Sequence, residues 1–358
     1  MSPPAPPSPL ARFIAGLTDT STWTGAGMLL VGLLTFVGLA AGIGPSTLAS
    51  GLPVLRWDDE FADMGGRLVR LADDRPATPV VWLVGSSATR EALSSPQELT
   101  QAIERAGGPA LAVEVLAAGG LYPEEALAAL DHAPIQQGDL VIAEVSPRNL
   151  ALPASQVQQL LDSPRLPLDG ETLDRFAADH GLRPHRRVRG SHLLSFPNFW
   201  AARVGTVVHL WTGAPRVEFH LAHRVPPPDP KRWDQLIARV AGWGTRCTEN
   251  ADLHVDTYAA LADRVTTAGA RLALLDAPRN PEVLTRLGED GARDRDTCQD
   301  RIQALASTLS VPRWEPAQSA ALQGREFIDH AHVVAPAGRV RFTHHVATSI
   351  AQMLAAQP

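Results

Sequence analysis

The chain has 358 residues, of which 45% are hydrophobic and 20% are charged, an ordinary composition for a folded protein. Its formal net charge of -6 gives no indication of nucleic acid as a partner. The only two cysteines, Cys247 and Cys298, match no zinc-binding spacing. Length alone is compatible with two small domains or one large one.

The N-terminal segment predicts a membrane anchor. Residues 1–22 begin with a proline-rich stretch and are expected to be a disordered, cytoplasmic N-terminus. Residues 23–43 are mostly apolar, and no charged residue occurs between positions 20 and 55. As a helix, residues 23–43 would extend about 32 Å, which is enough to cross a hydrocarbon core of about 30 Å.

A cleavable signal peptide is the alternative to an uncleaved anchor. The apolar region of a signal peptide is normally about 7–15 residues long and follows a positively charged start. The apolar run here is longer, and Arg12 is the one basic residue before it. We therefore expect a single-pass membrane protein with most of the chain outside the cytoplasm, in the periplasm or outside the cell.

An extracytoplasmic location bears on the two cysteines. Outside the cytoplasm, Cys247 and Cys298 can be oxidised to a disulfide, which would close a loop of about 50 residues. Two separate buried thiols are equally compatible with the sequence. Both interpretations stay open at this point.

From residue 80 onward the sequence alternates between strand and helix patterns, after a linker and helix in residues 44–79. Apolar runs predict strands at 80–84, 110–116, 140–145 and 271–277, and apolar periodicity predicts helices at 96–106, 123–132, 230–240, 252–268 and 297–309. Short links between such elements predict a three-layer α/β/α domain, residues 80–358, with a mostly parallel sheet. Residues 150–230 break the pattern and are expected to be an insertion.

A serine follows the first predicted strand, in the sequence Gly85-Ser86-Ser87. Open α/β sheets bind ligands outside the carboxyl ends of their strands. A serine at such a turn also has its N–H at a helix N-terminus, where negative charge is favoured. Taken alone, the pattern is explained more simply as a glycine turn with a serine cap.

The second signal lies near the other end of the chain. Asp329 and His332 are separated by two residues in a loop before a helix that is predicted to start near Pro336. A carboxylate that hydrogen-bonds an imidazole fixes its tautomer, and such a histidine serves as general base to a serine. A metal site of Asp329, His330 and His332 is disfavoured, because no further ligand cluster is evident. No metal or other cofactor is expected.

Together, the two signals resemble the SGNH (GDSL-like) hydrolase superfamily. The resemblance covers residues 80–358 without the insertion. The family's first block is Gly-Asp-Ser, whose serine is the nucleophile, and it corresponds here to Gly85-Ser86-Ser87, where Ser86 departs from the aspartate. Asp329 and His332 match the last block. The Gly-Ser-Ser variant resembles the membrane-anchored branch that contains the D-alanine-transfer protein of teichoic-acid modification and polysaccharide O-acetylation proteins.

The resemblance also implies an oxyanion hole. The family's second block supplies a glycine N–H after the second strand, for which Gly120 is the better match and Gly119 the alternative. The third block, Gly-x-Asn, supplies an asparagine side chain. Here residues 146–149 are SPRN, so the glycine is missing and Asn149 is one position out of register. The implied oxyanion donors are therefore Ser87, Gly120 and Asn149.

The function that the resemblance implies is acyl transfer by a membrane-anchored, extracytoplasmic serine esterase or O-acyltransferase. Ser87 would be the nucleophile, His332 the general base and Asp329 its orienting partner. The implied substrate is an acylated, for example acetylated, envelope or exported polysaccharide or a small ester, and a membrane-bound O-acyltransferase is an expected partner. The alternative is a non-catalytic SGNH-like scaffold in envelope polymer assembly. Nucleotide binding lacks support, because neither glycine-rich phosphate motif is present.

Overall fold

The computed structural model describes residues 27–34, 38, 42–203, 216–224 and 230–356. The chain divides into two compact units. The larger comprises Pro45–Arg186 and Asn198–Pro358, and the smaller comprises Met1–Gly44 and Arg187–Pro197. The larger unit contains the β-sheet and all the predicted catalytic residues.

Five parallel strands form the sheet, in the order β2-β1-β3-β4-β5. The strands are β1 (Val80–Ser86), β2 (Ala112–Ala118), β3 (Leu140–Val145), β4 (Arg271–Asp276) and β5 (Arg313–Trp314). Every residue of β1 and β3 is buried. Continuous apolar runs are the expected sequence of strands that are buried on both faces. The predicted α/β class with a parallel sheet is confirmed.

Helices connect the strands of the sheet. In chain order the helices are α1 (Pro45–Ala49), α2 (Glu60–Asp73), α3 (Ser87–Ala92), α4 (Pro96–Arg105), α5 (Pro123–His132), α6 (Ala154–Asp162), α7 (Glu171–Asp179), α8 (His192–Ser195), α9 (Pro197–Ala201), α10 (Pro230–Thr267), α11 (Pro281–Thr285), α12 (Gly288–Thr308), α13 (Pro316–Ser319) and α14 (Pro336–Ala355). Short 3-10 turns occur at Ala222–Arg224 and Gly324–Glu326. Proline occupies the first turn of α4, α5 and α14, where its missing N–H costs no hydrogen bond.

Alternate residues of each strand contribute to one apolar layer. Val81 and Leu83 of β1 belong to a buried cluster that also contains Ile103 of α4 and Phe342 of α14. The strand residue between them, Trp82, is buried as well. Apolar side chains are therefore covered on both faces of the sheet, which is consistent with a three-layer arrangement.

Helix α10 differs from the sequence expectation. Two helices were expected, at 230–240 and 252–268, whereas the structure has one helix of 38 residues. Glycines at 242 and 244 lower helix propensity, but Gly244 lies against α12, where an added Cβ would approach Asp294 Cβ to 2.8 Å. Close helix packing therefore explains this glycine. Helix α12 likewise starts at Gly288, earlier than the expected residue 297.

A disulfide joins the same two helices. Cys247 of α10 and Cys298 of α12 are bonded, with an S–S distance of 2.06 Å and a Cα–Cα distance of 5.9 Å. Both cysteines are buried. Of the two interpretations that the sequence left open, the structure has the bridge.

The expected insertion and the expected anchor are described only in part. Within residues 150–230, positions 204–215 and 225–229 lie outside the described residues. Positions 23–26, 35–37 and 39–41 of the expected transmembrane helix, residues 23–43, also lie outside them, and residues 27–34 are helical with exposed apolar side chains. Among the helices that the structure describes, none has both the length and the apolar character of a membrane span.

Candidate active site

The structure brings Ser87, His332 and Asp329 together in one hydrogen-bonded row. Ser87 Oγ lies 2.9 Å from His332 Nε2, although the two residues are 245 positions apart in the chain. His332 Nδ1 lies 2.7 Å from Asp329 Oδ2. With its Nδ1 proton donated to the carboxylate, the neutral ring presents Nε2 as an acceptor for the serine hydroxyl.

The loop before α14 fixes the carboxylate of Asp329. Its Oδ1 accepts hydrogen bonds from the backbone N–H groups of Ala331 and His332, each at 2.9 Å. The side-chain amide of Asn280 donates to the carbonyl of Asp329 at 2.9 Å. One turn of chain therefore holds both the aspartate and the histidine that it orients.

The electrostatics of the Asp329–His332 pair make His332 a stronger base. Burial alone would lower the pKa of His332, but the hydrogen bond and the negative charge of Asp329 raise this pKa above its ordinary 6.5. Burial alone would raise the pKa of Asp329, but the hydrogen bond and charge of His332 hold this pKa below its ordinary 3.8. The carboxylate is therefore ionised when the imidazole takes up a proton.

Ser87 is held at the turn between β1 and α3. The preceding residue, Ser86, caps α3 by accepting a hydrogen bond from the Ala88 N–H at 3.2 Å. Glu144 of β3 accepts hydrogen bonds from the Ser86 N–H at 2.7 Å and from its hydroxyl at 2.8 Å. An added Cβ at Gly85 would lie 2.8 Å from Glu144 Cβ, so this glycine leaves room for the carboxylate.

The two candidate oxyanion glycines have different surroundings. The Gly119 N–H donates to Glu60 Oε2 and is therefore occupied. Gly120 has a φ of 68°, in the left-handed region that favours glycine, and it lines the same cavity as Ser87. Within the described part of the chain, no acceptor is hydrogen-bonded to the Gly120 N–H. The Ser87 N–H, at the first position of α3, has no acceptor within the helix.

Asn149 has a different position from the other two implied oxyanion donors. Its side chain is buried, and its Oδ1 accepts a hydrogen bond from the Ser146 hydroxyl at 2.5 Å. Ser146, Pro147 and Arg148 line the cavity, whereas Asn149 is not among the lining residues. The structure therefore brings Gly120, but not Asn149, to the cavity wall beside Ser87.

No protein-family model matches the chain, and no curated protein is significantly similar to it. Inference about its function therefore depends on the geometry of this site and on the sequence motifs.

Ser87 and His332 open into a cavity of about 190 Å³. Part of its wall is apolar and includes Trp243, Val240 and Leu284. Another part carries the arginines Arg148, Arg239, Arg279 and Arg295. A cavity with apolar walls and a few converging polar groups is typical of small-molecule binding sites.

His330 lies on the same wall but outside the hydrogen-bonded row. Its ring packs 5.2 Å from the ring of Trp243, and burial lowers its pKa to about 4 in spite of the charge of Asp329 nearby. Within the described ranges, no three side chains of the metal-binding types converge into a candidate ion site. Of the three residues of the metal alternative, Asp329 and His332 form a hydrogen-bonded pair, and the ring of His330 packs against Trp243 instead.

Sequence analysis missed the residues that support and surround the row. Glu144 had a signal, because it is the single charged residue in the apolar strand sequence LVIAEV. Arg148 and Arg279 had a weaker signal, since each follows the carboxyl end of a parallel strand, where such sheets bind ligands. Arg239 and Arg295 lie on long helices, and no local pattern distinguishes them from other surface arginines.

Proposed function

We propose that the protein is a serine esterase or O-acyltransferase that uses Ser87, His332 and Asp329. The observation that supports this proposal best is the continuous row of hydrogen bonds from the Ser87 hydroxyl through the imidazole to the carboxylate. The nucleophile, the base and the orienting acid each have the geometry that acyl transfer requires. The motif resemblance to the SGNH superfamily and the parallel α/β fold are consistent with the same activity.

The reaction proceeds in two steps. His332 Nε2 removes the proton from Ser87 Oγ, which attacks the ester carbonyl carbon and forms a tetrahedral intermediate. The carbon–oxygen bond to the alcohol then breaks, and the proton on His332 passes to the departing oxygen. In the second step, water or a sugar hydroxyl gives its proton to His332 and attacks the acyl-serine, which releases Ser87 with its proton restored.

The backbone N–H groups of Ser87 and Gly120 stabilise the negative charge on the carbonyl oxygen. Removal of one such donor in comparable sites costs about 3–4 kcal/mol of transition-state stabilisation. The role of Asn149 as a third oxyanion donor remains only a prediction from the sequence, because its side chain does not line the cavity.

We further propose that the catalytic domain is extracytoplasmic and membrane-anchored. The uncharged run at residues 20–55 supports an anchor, and the Cys247–Cys298 disulfide is typical of an oxidising compartment. An O-acylated envelope or exported polysaccharide is the proposed substrate, and a membrane-bound O-acyltransferase is the proposed partner.

A non-catalytic scaffold in envelope polymer assembly is the second candidate. The observation that favours it is the incomplete third block, with no glycine before Asn149 and no Asn149 surface in the cavity. Such a scaffold would bind a glycan or partner at the cavity and would not need the Ser87 hydroxyl.

A fluorophosphonate probe tests the two candidates directly, because it labels a serine only when a neighbouring base activates the hydroxyl. The full-length chain in native membranes is labelled beside Ser87→Ala, His332→Ala and the control His344→Gln, which removes an exposed histidine of α14. We expect labelling of the wild type and the control and loss of labelling in the other two variants. Wild-type protein that has not been treated with the probe is then offered acetylated oligosaccharides to compare hydrolysis with transfer.

Absence of labelling in the membranes, where wild-type protein purified from them is folded by circular dichroism, would reject the enzyme and favour the scaffold. Labelling that survives in Ser87→Ala would place the activated serine elsewhere.

A further inference from the structure

The cavity beside Ser87 is strongly cationic. Four arginines line it, Arg148, Arg239, Arg279 and Arg295, and Glu144 is the one acidic side chain among its lining residues in the described chain. The Glu144 carboxylate is already engaged by the N–H and hydroxyl of Ser86. In the described part of the chain, Glu144 forms no ion pair with any of these four arginines.

The charge of Arg279 is only partly compensated. Its Nη2 lies 3.6 Å from Asp276 Oδ2, but both oxygens of Asp276 already accept hydrogen bonds from Arg313, at 2.8 and 2.7 Å. Arg279 Nη1 is buried and has no hydrogen-bond partner in the described structure. A buried guanidinium nitrogen without a partner is costly, and an anion in the cavity would supply one.

The other three arginines are held in place without a buried carboxylate. Arg148 lies over the ring of Tyr122 at 4.4 Å and donates to the carbonyl of Gly120 at 3.2 Å. Arg295 pairs with Asp296, an exposed residue, and no ion pair of Arg239 is present in the described part of the chain. Packing and a backbone contact therefore position Arg148, and neither Arg148 nor Arg239 forms an ion pair in the described part of the chain, so both of these charges are available to a ligand.

The positive charges of the arginines also lower the pKa values of neighbouring groups. The pKa of Arg279 is lowered by burial and, against the attraction of Asp276, by the positive charges of Arg295 and Arg313. Burial is the main cause of the lowered pKa of His330, and the positive charges of Arg148 and Arg239 contribute to it. A ligand with negative charge would relieve this mutual repulsion.

We propose that the cavity binds an anionic ester, whose carboxylate or phosphate group pairs with Arg279 and Arg295 while its ester carbonyl lies at Ser87. This inference rests on the proposed function, because it names the substrate class of the same site. The apolar wall formed by Trp243 and Leu284 holds the uncharged part of the ligand. The charged group belongs either to the acyl part or to the alcohol part of the ester, and the experiment distinguishes these two sources.

The test compares anionic and neutral esters with the full-length chain. 4-Nitrophenyl hemisuccinate carries a carboxylate on the acyl part and is compared with 4-nitrophenyl butyrate. 4-Acetoxybenzoate carries it on the alcohol part and is compared with its methyl ester. For one of the pairs we expect kcat/KM to be at least about tenfold higher for the anionic ester, and we expect Arg279→Gln to reduce that ratio by about tenfold. The pair that responds identifies which part of the substrate is charged.

Arg293→Gln is the matched control. It also removes one arginine charge, but Arg293 of α12 is exposed, pairs with Asp290 and does not line the cavity. The ratio of anionic to neutral turnover should be the same in this variant as in the wild type. Thermal unfolding of each variant shows that the protein is folded.

A binding measurement separates this inference from the proposed catalysis. The Ser87→Ala variant is titrated calorimetrically with 4-acetoxybenzoate, the hemisuccinate and their neutral counterparts, with and without Arg279→Gln. Charge-selective binding by Ser87→Ala that depends on Arg279, together with no turnover of any of the esters by the wild type, would keep the anion site and reject the enzyme. Turnover without charge preference in either pair, and without charge-selective binding, would overturn the anion site and leave the enzyme standing.

Discussion

The carboxylate of Glu144 accepts hydrogen bonds from both the backbone N–H and the hydroxyl of Ser86, the residue before the candidate nucleophile. Glu144 is buried at the end of β3, and the turn that it holds is at the end of β1. The two strands are hydrogen-bonded neighbours in the sheet. The sheet thus fixes the position of Ser87 through one carboxylate, independently of the Asp329–His332 pair.

Removal of the Ser86 hydroxyl is therefore expected to destabilise the protein. Ser86→Ala deletes the cap of α3 and leaves the buried Glu144 carboxylate with one donor fewer, which together should cost about 2–3 kcal/mol of unfolding free energy. Ser95→Ala is the matched control, because Ser95 caps α4 at the surface without a buried carboxylate. It should cost about 1 kcal/mol. Urea unfolding measures both, and equal losses would contradict the role given to Glu144.

Asp329→Asn should reduce ester turnover far more than it reduces stability. An asparagine can direct its NH2 group at His332 Nδ1, which favours the tautomer with the proton on Nε2 and blocks removal of the Ser87 proton. The same change in a well-studied serine protease lowers kcat about 10⁴-fold, and we expect about 10³–10⁴-fold here. Asp256→Asn alters an Asp–His pair at the surface, with His180, and should leave kcat unchanged.

The rate should depend on pH through His332. Burial lowers its pKa, but the hydrogen bond and charge of Asp329 raise the pKa above 6.5, and the proton must be absent for His332 to act as a base. The rate of the wild type is therefore expected to rise with pH, with its half-maximum above pH 6.5. In Asp329→Asn the residual rate should reach half-maximum at a lower pH, because the charge that raised the pKa is gone. An unshifted profile would assign the titration to another group.

Much of the sheet was predictable because its strands are buried on both faces. The runs at 80–84 and 140–145 are apolar and β-branched, and they match β1 and β3 closely. The helix at 123–132 has the predicted bounds, Pro123–His132, because a proline marks its first turn. The pairing of Asp329 with His332 was also predictable, since a separation of three positions within one turn brings the two side chains together.

The rest of the site depends on tertiary contacts that leave no local pattern. The sequence predicts two helices, at 230–240 and 252–268, whereas Gly244 packs against α12 within one long helix. The family resemblance ranks Gly120 above Gly119, and the contact between Glu60 and the Gly119 N–H adds a reason that the sequence does not show. Arg239 of α10 and Arg279, which follows β4, belong to different elements, and the fold brings both to the wall of one cavity. Each case is a long-range contact that overrides or adds to a local preference.

The disulfide between α10 and α12 should contribute strongly to stability, because it cross-links Cys247 and Cys298 across 51 residues of chain. In the chain-entropy model a loop of this length is worth about 4 kcal/mol of unfolding free energy. The double variant Cys247→Ser/Cys298→Ser should therefore unfold at a markedly lower urea concentration than the oxidised wild type, and reduced wild type should resemble the variant.

The same pair of cysteines also tests the proposed location. Protein taken directly from cells is denatured in the presence of a thiol-alkylating reagent, with and without prior reduction. Its mass is then measured by mass spectrometry. An oxidising compartment predicts alkylation of neither cysteine before reduction and of both after it. Full alkylation before reduction, in protein that is folded in the cell, would contradict an extracytoplasmic domain, because the buried bridge would then be absent where the protein works.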